Sequence, residues 1–222
     1  MNVQKPLFNK NIVITRAKNQ LKEFTDILEN LGARVIEFPT IKIIPPSSYE
    51  ELDKAIKNIR EFKWIIFTSV NGVDFFFKRF FKNGGKLKNI EEKKIAVIGP
   101  ATAEAAKKKG LNIDLLPEEF KAEDVIKGFK DIDVEGVKIL IPRAKKAREI
   151  LPNSLREMGA KVSVIPVYET VPDDSKVSEV VELFLKQEVD LITFTSSSTV
   201  KYFMKLLKGE VDLKKIERVK IA

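Results

Sequence analysis

The strongest constraint on the fold is an internal repeat with a constant spacing of 127 residues, from Asn11 to Lys138. The segment Asn11–Pro45 aligns without a gap with Lys138–Pro172, and Phe67-Thr68-Ser69 aligns with Phe194-Thr195-Ser196 at the same spacing. This period is of domain size and is far longer than that of a solenoid repeat. The 222 residues are therefore predicted to fold as two related units with a cleft between them, a place that ligands favour.

The composition excludes several kinds of catalytic chemistry. The sequence contains no His and no Cys, which excludes histidine acid–base catalysis, thiol nucleophiles and ordinary zinc or iron–sulfur sites. The acidic pairs Asp131/Asp133 and Asp173/Asp174 lack the spacing of a calcium loop, so we predict surface loops and no metal site. Any reaction must use hydroxyl, amine, guanidinium or carboxyl groups, or backbone amides. This favours chemistry that the substrate largely performs itself.

Charge and hydropathy bound the location and the partners. No apolar run is long enough to cross a membrane, and the first ten residues lack the apolar core of a signal peptide. Since Cys is also absent, we expect a cytoplasmic protein with no membrane partner. The net charge of +8, from 40 basic and 32 acidic residues, favours a polyanionic partner. Nucleic acid ranks last, because the lysines are scattered and no RRM, KH, helix-turn-helix or zinc-finger pattern is present.

Short apolar runs alternate with amphipathic helical segments. The runs are too short for helices and are rich in β-branched residues, as in buried parallel strands. They are Ile12–Ile14, Trp64–Phe67, Ile95–Ile98, Ile113–Leu116, Ile139–Ile141 and Leu191–Phe194. Two helical segments end at Gly32 and Gly159, and glycine is the usual helix stop. The alternation predicts α/β domains with doubly wound parallel sheets, in which binding residues lie at the carboxyl ends of the strands.

Two longer extended stretches, near residues 35–44 and 162–171, break this alternation. They carry Pro39 and Pro166 at matching positions, and we expect them to be linkers that pair as a two-stranded β connector. The first domain would then comprise residues 1–38 and 170–222, and the second would comprise residues 39–169. A simple division near Glu135 is the alternative. A two-stranded connector is weakly stable and would let the domains move as rigid bodies.

The turns after the predicted strands carry small and polar residues. Thr68–Gly72 and Thr195–Thr199 each lie between a strand and an apolar helix, and Gly99–Ala103 follows a third strand. The free amides at a helix N-terminus form an anion site, although the same residue types also serve as ordinary helix caps. The candidate binding residues in these turns are Ser69, Asn71, Gly99, Thr195, Ser196, Ser197 and Ser198.

Two arginines at matching positions, Arg16 and Arg143, also follow buried strands. A guanidinium there can bind a carboxylate or phosphate in a bidentate manner, and a solvated arginine at a helix start is the alternative. Arg143 belongs to a basic cluster that we expect either to create a strong positive field beside the cleft or to form a solvated face. The other members of this cluster are Lys145, Lys146 and Arg148.

Tyr168 breaks the symmetry of the repeat. Its counterpart is the apolar Ile41, so the repeat does not require a tyrosine at this position. A phenol can donate a proton or a hydrogen bond and can stack on a ring. Tyr168 is therefore a candidate catalytic residue, with packing inside the connector as the alternative.

Seven short motifs occur in an order and spacing that cover nearly the whole chain. They are ITRA at Ile14–Ala17, LGA at Leu31–Ala33, FTSVNGV at Phe67–Val73, VIGPATA at Val97–Ala103, PRA at Pro142–Ala144, PVYET at Pro166–Thr170 and FTSSSTV at Phe194–Val200. Together they resemble the uroporphyrinogen-III synthase family, which cyclises hydroxymethylbilane with inversion of the last pyrrole ring and loss of water. The resemblance implies two flavodoxin-like domains joined by a two-stranded linker, an active site between the domains and no cofactor.

The resemblance also implies roles for single residues. Tyr168 matches the tyrosine proposed to assist loss of the hydroxyl group as water, and Thr102 matches the threonine of the first GPxTA turn. The substrate has eight carboxylates, which the amides and hydroxyls of the candidate turns would hold. The resemblance further implies a monomer in tetrapyrrole biosynthesis that contacts hydroxymethylbilane synthase transiently. The alternative function is a noncatalytic two-domain sensor that closes on an anionic metabolite.

The last residues depart from the family pattern. Lys220-Ile221-Ala222 matches Lys94-Ile95-Ala96, which precedes the Gly99–Ala103 turn. A second turn of this kind would follow in the family, so we expect the sequence to be truncated. A protein that ended there would leave an apolar sheet edge exposed and would bind weakly.

Overall fold

The computed structural model describes residues 5–16, 18, 21–212 and 216–222, and the chain divides into two compact units. The discontinuous unit comprises Met1–Ile43 with Thr170–Ala222, and the continuous unit comprises Ile44–Glu169. Ala17, the last residue of the first motif, and residues 1–4 of the first predicted domain lie outside the described residues.

Strands and helices alternate along both units, as expected for an α/β fold. The strands are β1 (Asn11–Ile14), β2 (Arg34–Glu37), β3 (Ile41–Ile44), β4 (Trp64–Phe67), β5 (Lys94–Val97), β6 (Lys138–Ala144), β7 (Lys161–Pro172), β8 (Leu191–Thr193) and β9 (Lys220–Ile221). The helices are α1 (Leu21–Asn30), α2 (Glu50–Lys57), α3 (Val70–Lys82), α4 (Pro100–Lys108), α5 (Ala122–Phe129), α6 (Ile150–Glu157), α7 (Val177–Leu185) and α8 (Ser197–Leu207).

The sheet of the discontinuous unit has the order β2-β1-β8-β9, and its strands pair in parallel. Successive side chains of a strand point to opposite faces. Val13 therefore packs with Phe184 of α7 and Phe203 of α8, whereas Ile14 packs with Leu21 of α1. Helices thus cover both faces of this sheet, which explains why its strands are apolar throughout.

The sheet of the continuous unit has the order β3-β7-β6-β4-β5, with β4, β5, β6 and β7 in parallel. On one face, Trp64 lies edge-on to Phe129 of α5, with their ring centroids 4.9 Å apart. On the other face, Phe67 meets Phe76 of α3 at 5.6 Å. The phenylalanines Phe76, Phe77 and Phe80 are buried, so the aromatic run in α3 mainly builds the core.

The first extended stretch, near residues 35–44, is divided rather than continuous. Its first part is β2, which pairs with β1 over Asn11–Ile14, so these residues form a sheet strand and not a linker. Its second part is β3, which lies beside β7. By contrast, β7 is unbroken from Lys161 to Pro172.

The run Ile113–Leu116 does not form the predicted strand. It makes a single parallel bridge, between Leu115 and Ala96, with Leu115 bonded to the backbone of Ile95 and Val97. The ladder stops because Pro117 has no N–H to donate. Within the described ranges, no helix is both long and apolar enough to cross a lipid bilayer.

Candidate active site

A buried strand, a serine cap and a helix place the first polar group of the site. β4 ends at Phe67, and Ser69 follows in an extended conformation (φ −164°, ψ 157°) as the N-cap of α3. The amide of Gly72 donates to Ser69 Oγ at 3.1 Å. A side chain at Gly72 would meet the carbonyl oxygen of Pro142 at 3.0 Å, so glycine is needed for α3 to approach β6.

Tyr168 lies on β7 with its hydroxyl 3.1 Å from Ser69 Oγ, and its residue surface is only 7% exposed. A register shift between Arg143 and Ala144 brings Ala144 opposite Tyr168. The Tyr168 ring lies 5.7 Å from the ring of Phe75, at 32°. The phenol is therefore fixed by packing as well as by its hydrogen bond, which is what a positioned proton donor requires.

The hydrogen bonds that Ser69 can make leave the hydroxyl hydrogen of Tyr168 free to bond to a substrate. A serine hydroxyl has one hydrogen and two acceptor positions, and the Gly72 amide occupies one acceptor position. Either Ser69 or Tyr168 can be the donor in their mutual bond. When Ser69 donates, the hydrogen of Tyr168 remains available to a substrate.

A second turn lies at the carboxyl end of β5, which is the neighbour of β4. Gly99 is the N-cap of α4 in an extended conformation, and Pro100 is the first helical residue. Thr102 follows in the first helical turn and is buried. Asn71 lies in the first turn of α3, so both turns present helix N-terminal amides at the same end of the sheet, where an anion is stabilised.

Arg143 does not present its guanidinium at the surface, contrary to the expectation for a direct anion ligand. The residue is 5% exposed; it donates to the carbonyl oxygen of Arg148 at 2.8 Å and forms an ion pair with Glu149. Its Nε is buried without a protein partner. The guanidinium nitrogens of Arg143 are thus occupied by the loop between β6 and α6, because the short segment from Arg143 to Glu149 folds back over the guanidinium.

Ion pairs also weaken the positive field expected from the basic cluster. Lys145 pairs with Glu169 at 3.0 Å, and Arg148 pairs with Glu123 at 3.0 Å. The hydrogen bond from Lys145, together with the amide of Ser47, holds the pKa of Glu169 below its ordinary value. Glu169 therefore stays ionised beside Tyr168, and the net positive charge at this end of the sheet is smaller than the sequence indicates.

The matching turn of the discontinuous unit is built in the same way. Ser196 caps α8 with φ −164° and ψ 159°, and the Thr199 amide donates to its Oγ at 3.2 Å. Thr199 Oγ1 accepts from the Ser196 amide at 3.3 Å and completes a reciprocal capping box. All four residues from Thr195 to Ser198 are exposed.

Two buried polar atoms without a protein partner lie at or just after the carboxyl ends of the paired strands β1 and β8. One is Nε of Arg16, whose guanidinium lies 4.8 Å from the centre of the Phe24 ring. The other is Oγ1 of Thr193, on β8. The neighbouring Thr15 hydroxyl donates to the carbonyl oxygen of Thr193 at 2.7 Å. Unsatisfied buried groups of this kind are rare, and binding of a ligand or an ordered water is one way in which they are satisfied.

The sequence did not point to several residues of these sites. Phe75, Glu169 and Thr193 acquire contacts only through the tertiary fold. Phe120 was also missed. Of these four residues, it alone could have been noticed in the sequence, because it is a single aromatic residue among charged ones. In the part of the chain that the structure describes, no group of three or more acidic side chains could hold a metal ion.

Comparison with protein families gives one match over most of the chain. The family described as uroporphyrinogen-III synthase HemD matches residues 22–222. A uroporphyrinogen-III synthase from Synechococcus elongatus is 36% identical over 215 residues, covering 94% of this chain and 78% of that protein. A porphyrin biosynthesis protein HemD from Ruminiclostridium josui is 34% identical over 93% of this chain, which spans only 41% of that longer protein.

Solved structures show the same fold at lower sequence identity. A mutant uroporphyrinogen III synthase from Thermus thermophilus has a TM-score of 0.68 and 18% identity, over 89% of this chain and 77% of that one. A uroporphyrinogen-III synthetase from Helicobacter pylori has a TM-score of 0.58 and 19% identity, over 96% and 92%. At these identities the likeness concerns the mixed α/β fold with parallel sheets.

Proposed function

Because the chain belongs to the uroporphyrinogen-III synthase family, which comprises cyclising, lyase-type enzymes of porphyrin biosynthesis, we propose that the bonded pair Tyr168 and Ser69 serves its reaction. The substrate is hydroxymethylbilane, a linear tetrapyrrole with eight carboxylates, and the products are uroporphyrinogen III and water. The observation that carries the proposal is the 3.1 Å contact between the two hydroxyls, where β4 ends and where Tyr168 of β7 lies opposite the last residue of β6. The comparisons do not favour the noncatalytic sensor.

The first role is proton donation. The phenol of Tyr168 gives its proton to the leaving hydroxyl of the substrate as the carbon–oxygen bond breaks, and water departs. Ser69 donates to the phenol oxygen as negative charge develops on it. The resulting azafulvenium cation reacts through a spiro intermediate to close the inverted ring. The proton that the ring carbon loses on closure returns to the Tyr168 phenolate, so the phenol is restored.

The second role is to hold the chain in a closed shape. Bringing the reacting carbons together in one geometry removes a large entropic part of the barrier. We propose that the backbone amides at Asn71 and Gly99, together with the side-chain amide of Asn71, hold substrate carboxylates at the helix starts, since both residues lie at N-terminal turns. Arg16 and the exposed turn Thr195–Ser198 are further proposed carboxylate ligands.

Thr102 and Arg143 are proposed to act differently. Thr102 lies in the first turn of α4, at the same end of the sheet as Ser69, and its hydroxyl is proposed to serve the reacting end of the substrate. Arg143 is instead proposed to brace the loop that follows β6, because its fork binds Arg148 and Glu149. Burial of a guanidinium with such partners stabilises a loop conformation more than it binds a mobile anion.

We also propose that each unit is a flavodoxin-like domain. The support is that four strands in each sheet run in parallel and that helices pack on both faces. Residues 1–38 with 170–222, and residues 39–169, are the corresponding proposed domains. The connector would then be β3 with the distal part of β7.

Incubation with freshly generated hydroxymethylbilane tests the function. The type I and type III uroporphyrin isomers are separated after oxidation, because spontaneous closure without a catalyst gives type I. We expect type III to predominate over the enzyme-free control. Type I alone, from a protein whose circular dichroism shows it folded, would rule out the synthase activity.

A further inference from the structure

Phe120 is exposed where an aromatic side chain is unexpected. It lies between Glu119 and Lys121 in the segment before α5, and it is 58% exposed. Leaving a ring of this size in water forgoes about 1.5–3 kcal/mol of burial free energy. Single exposed apolar side chains are common on protein surfaces, so the position of Phe120, and not its exposure alone, decides what the ring can do.

The backbone on both sides of Phe120 is anchored. Leu115 is bridged to Ala96 of β5, and Ala122, the first residue of α5, is buried. The Lys121 amide also donates to the carbonyl oxygen of Glu119 at 2.8 Å. The ring is therefore held by a short, tethered segment, so its position is reproducible enough to orient a ligand.

The place where Phe120 is held is the carboxyl end of β5. A methyl group added at Gly99 would lie 3.4 Å from Cβ and 3.5 Å from Cγ of Phe120. These are ordinary van der Waals distances, so the side chain of Phe120 lies directly beside the backbone of the turn. The ring thus borders the N-terminus of α4. Gly99, whose amide is proposed to bind a substrate carboxylate, and the buried Thr102 lie there.

The chemistry of the substrate gives the ring a role. The helix-start amides suit the carboxylates, but the flat faces of the pyrrole rings need an apolar or aromatic partner. Val70, which begins α3 on the neighbouring strand turn, is a second exposed apolar side chain at this end of the sheet. The neighbouring acid Glu119 is paired with Lys121 at 2.9 Å, which reduces its repulsion of an anionic ligand.

We propose that Phe120 is a substrate-positioning residue whose ring packs against a pyrrole ring of the tetrapyrrole at the start of α4. This inference rests on the proposed function and adds to it an aromatic contact that selects a tetrapyrrole over other polycarboxylates. The contact is present in the bound substrate and in the transition state alike. Its loss therefore raises KM and leaves kcat nearly unchanged.

The test compares Phe120→Ala with the wild-type protein. We expect KM for hydroxymethylbilane to rise about three- to tenfold, the equivalent of one aromatic contact, with kcat within about twofold. The dissociation constant of uroporphyrin III, an unreactive octacarboxylate, should rise by the same factor in a fluorescence titration. Phe120→Tyr keeps the ring and should restore both values, whereas Phe120→Leu should restore them only in part.

Phe81→Ala is the matched control. Phe81 is a comparably exposed phenylalanine of the same unit, at 46%, but it lies in the last turn of α3 and packs on Phe77 and Phe80. Its replacement should leave KM and uroporphyrin binding unchanged. Equal shifts in both alanine variants would show a general loss of stability and would overturn the proposal.

The outcomes separate this inference from the function on which it rests. If the wild-type protein makes type III and Phe120→Ala has wild-type KM and binding, the function stands and the aromatic contact does not. If the wild-type protein makes only type I, the synthase activity fails, and the uroporphyrin titration of the two variants still decides whether Phe120 contacts a tetrapyrrole. A fall in kcat without a change in KM also contradicts the proposed contact.

Discussion

Replacing Tyr168 with Phe removes a single oxygen from the candidate site. The ring of Tyr168 keeps its contact with Phe75, and Ser69 keeps the hydrogen bond from the Gly72 amide. The loss to folding is therefore that of one hydrogen bond, about 1 kcal/mol. The loss of kcat can be expressed as a change in activation free energy. If that change exceeds the loss in free energy of unfolding, it must come from the chemistry of the phenol.

The size of the expected rate loss follows from the role of the phenol. A positioned general acid contributes about 10²–10⁴-fold to a rate. The hydroxyl of hydroxymethylbilane leaves with help from the adjacent pyrrole nitrogen, so the smaller end of this range applies. We expect kcat of Tyr168→Phe to fall about 100-fold, with KM little changed because the ring remains.

A double-mutant cycle with Ser69→Ala tests whether the two hydroxyls act together. Ser69→Ala also removes the N-cap of α3, so its free energy of unfolding should fall by about 0.5–2 kcal/mol. If Ser69 acts on the reaction through Tyr168, the double variant should be no slower than the slower single variant. Tyr49→Phe is the matched control, because Tyr49 lies in the same unit beneath the guanidinium of Arg79.

Activity is followed as the initial rate of uroporphyrinogen III formation, with the isomer ratio measured at each time point. An unchanged kcat in Tyr168→Phe would refute the assignment of the acid. Complete loss of activity in the folded variant would refute the view that positioning supplies most of the rate. Rate losses that simply multiply in the double variant would show that the two hydroxyls act independently.

Three further predictions test the structure. Arg143→Lys should lower the free energy of unfolding by about 1–2 kcal/mol, because an ammonium cannot replace the fork that binds the loop, while uroporphyrin III binding stays within about twofold; a large loss of binding in a stable variant would restore Arg143 as a direct ligand. Asp190→Asn should destabilise the protein by about 1 kcal/mol at neutral pH in urea unfolding. The side chain of Lys10 and the first amide of β1 hold the pKa of Asp190 below its ordinary value, so this stabilisation is present above the unfolded pKa of about 3.9 and is lost as the pH falls through the lower folded-state pKa. The difference between variant and wild type should therefore shrink in acid, and a constant difference would contradict it. Phe129→Ala should cost about 3–5 kcal/mol, because the ring is fully buried against Trp64, and the fluorescence of this single Trp reports the unfolding.

Features that depend on local sequence were predictable. The repeat aligned the two serine caps, and Ser69 and Ser196 have nearly the same backbone angles. Gly32 and Gly159 follow helices with φ of +96° and +86°, a conformation that glycine adopts without strain. Strand apolarity correctly predicted burial, because strands covered on both faces must be apolar along their whole length.

Features that depend on distant partners were not predictable. Tyr168 and Ser69 are 99 residues apart, and only the pairing of β7 beside β6 and β6 beside β4 brings them together. The sequence left open whether the basic cluster creates a strong field, because its acidic partners, such as Glu123 and Glu169, come from other parts of the chain. Composition gives the net charge of a protein, whereas the local field depends on which charges the fold pairs.

The repeat itself shows where catalysis and binding diverge. Both serine caps accept a hydrogen bond from the amide three residues later, and both helix starts can hold an anion. Only Ser69 also meets a phenol, because Tyr168 replaces an apolar residue at that position of the repeat, whereas Ser196 is closed by the reciprocal box with Thr199. The serine-capped helix start therefore suits carboxylate binding in either unit. The contact between Ser69 and Tyr168 occurs only in the continuous unit, and we therefore assign the proposed proton transfer to that unit. Replacing Thr199 should accordingly weaken the cap of α8 without the selective loss of kcat expected for Tyr168→Phe.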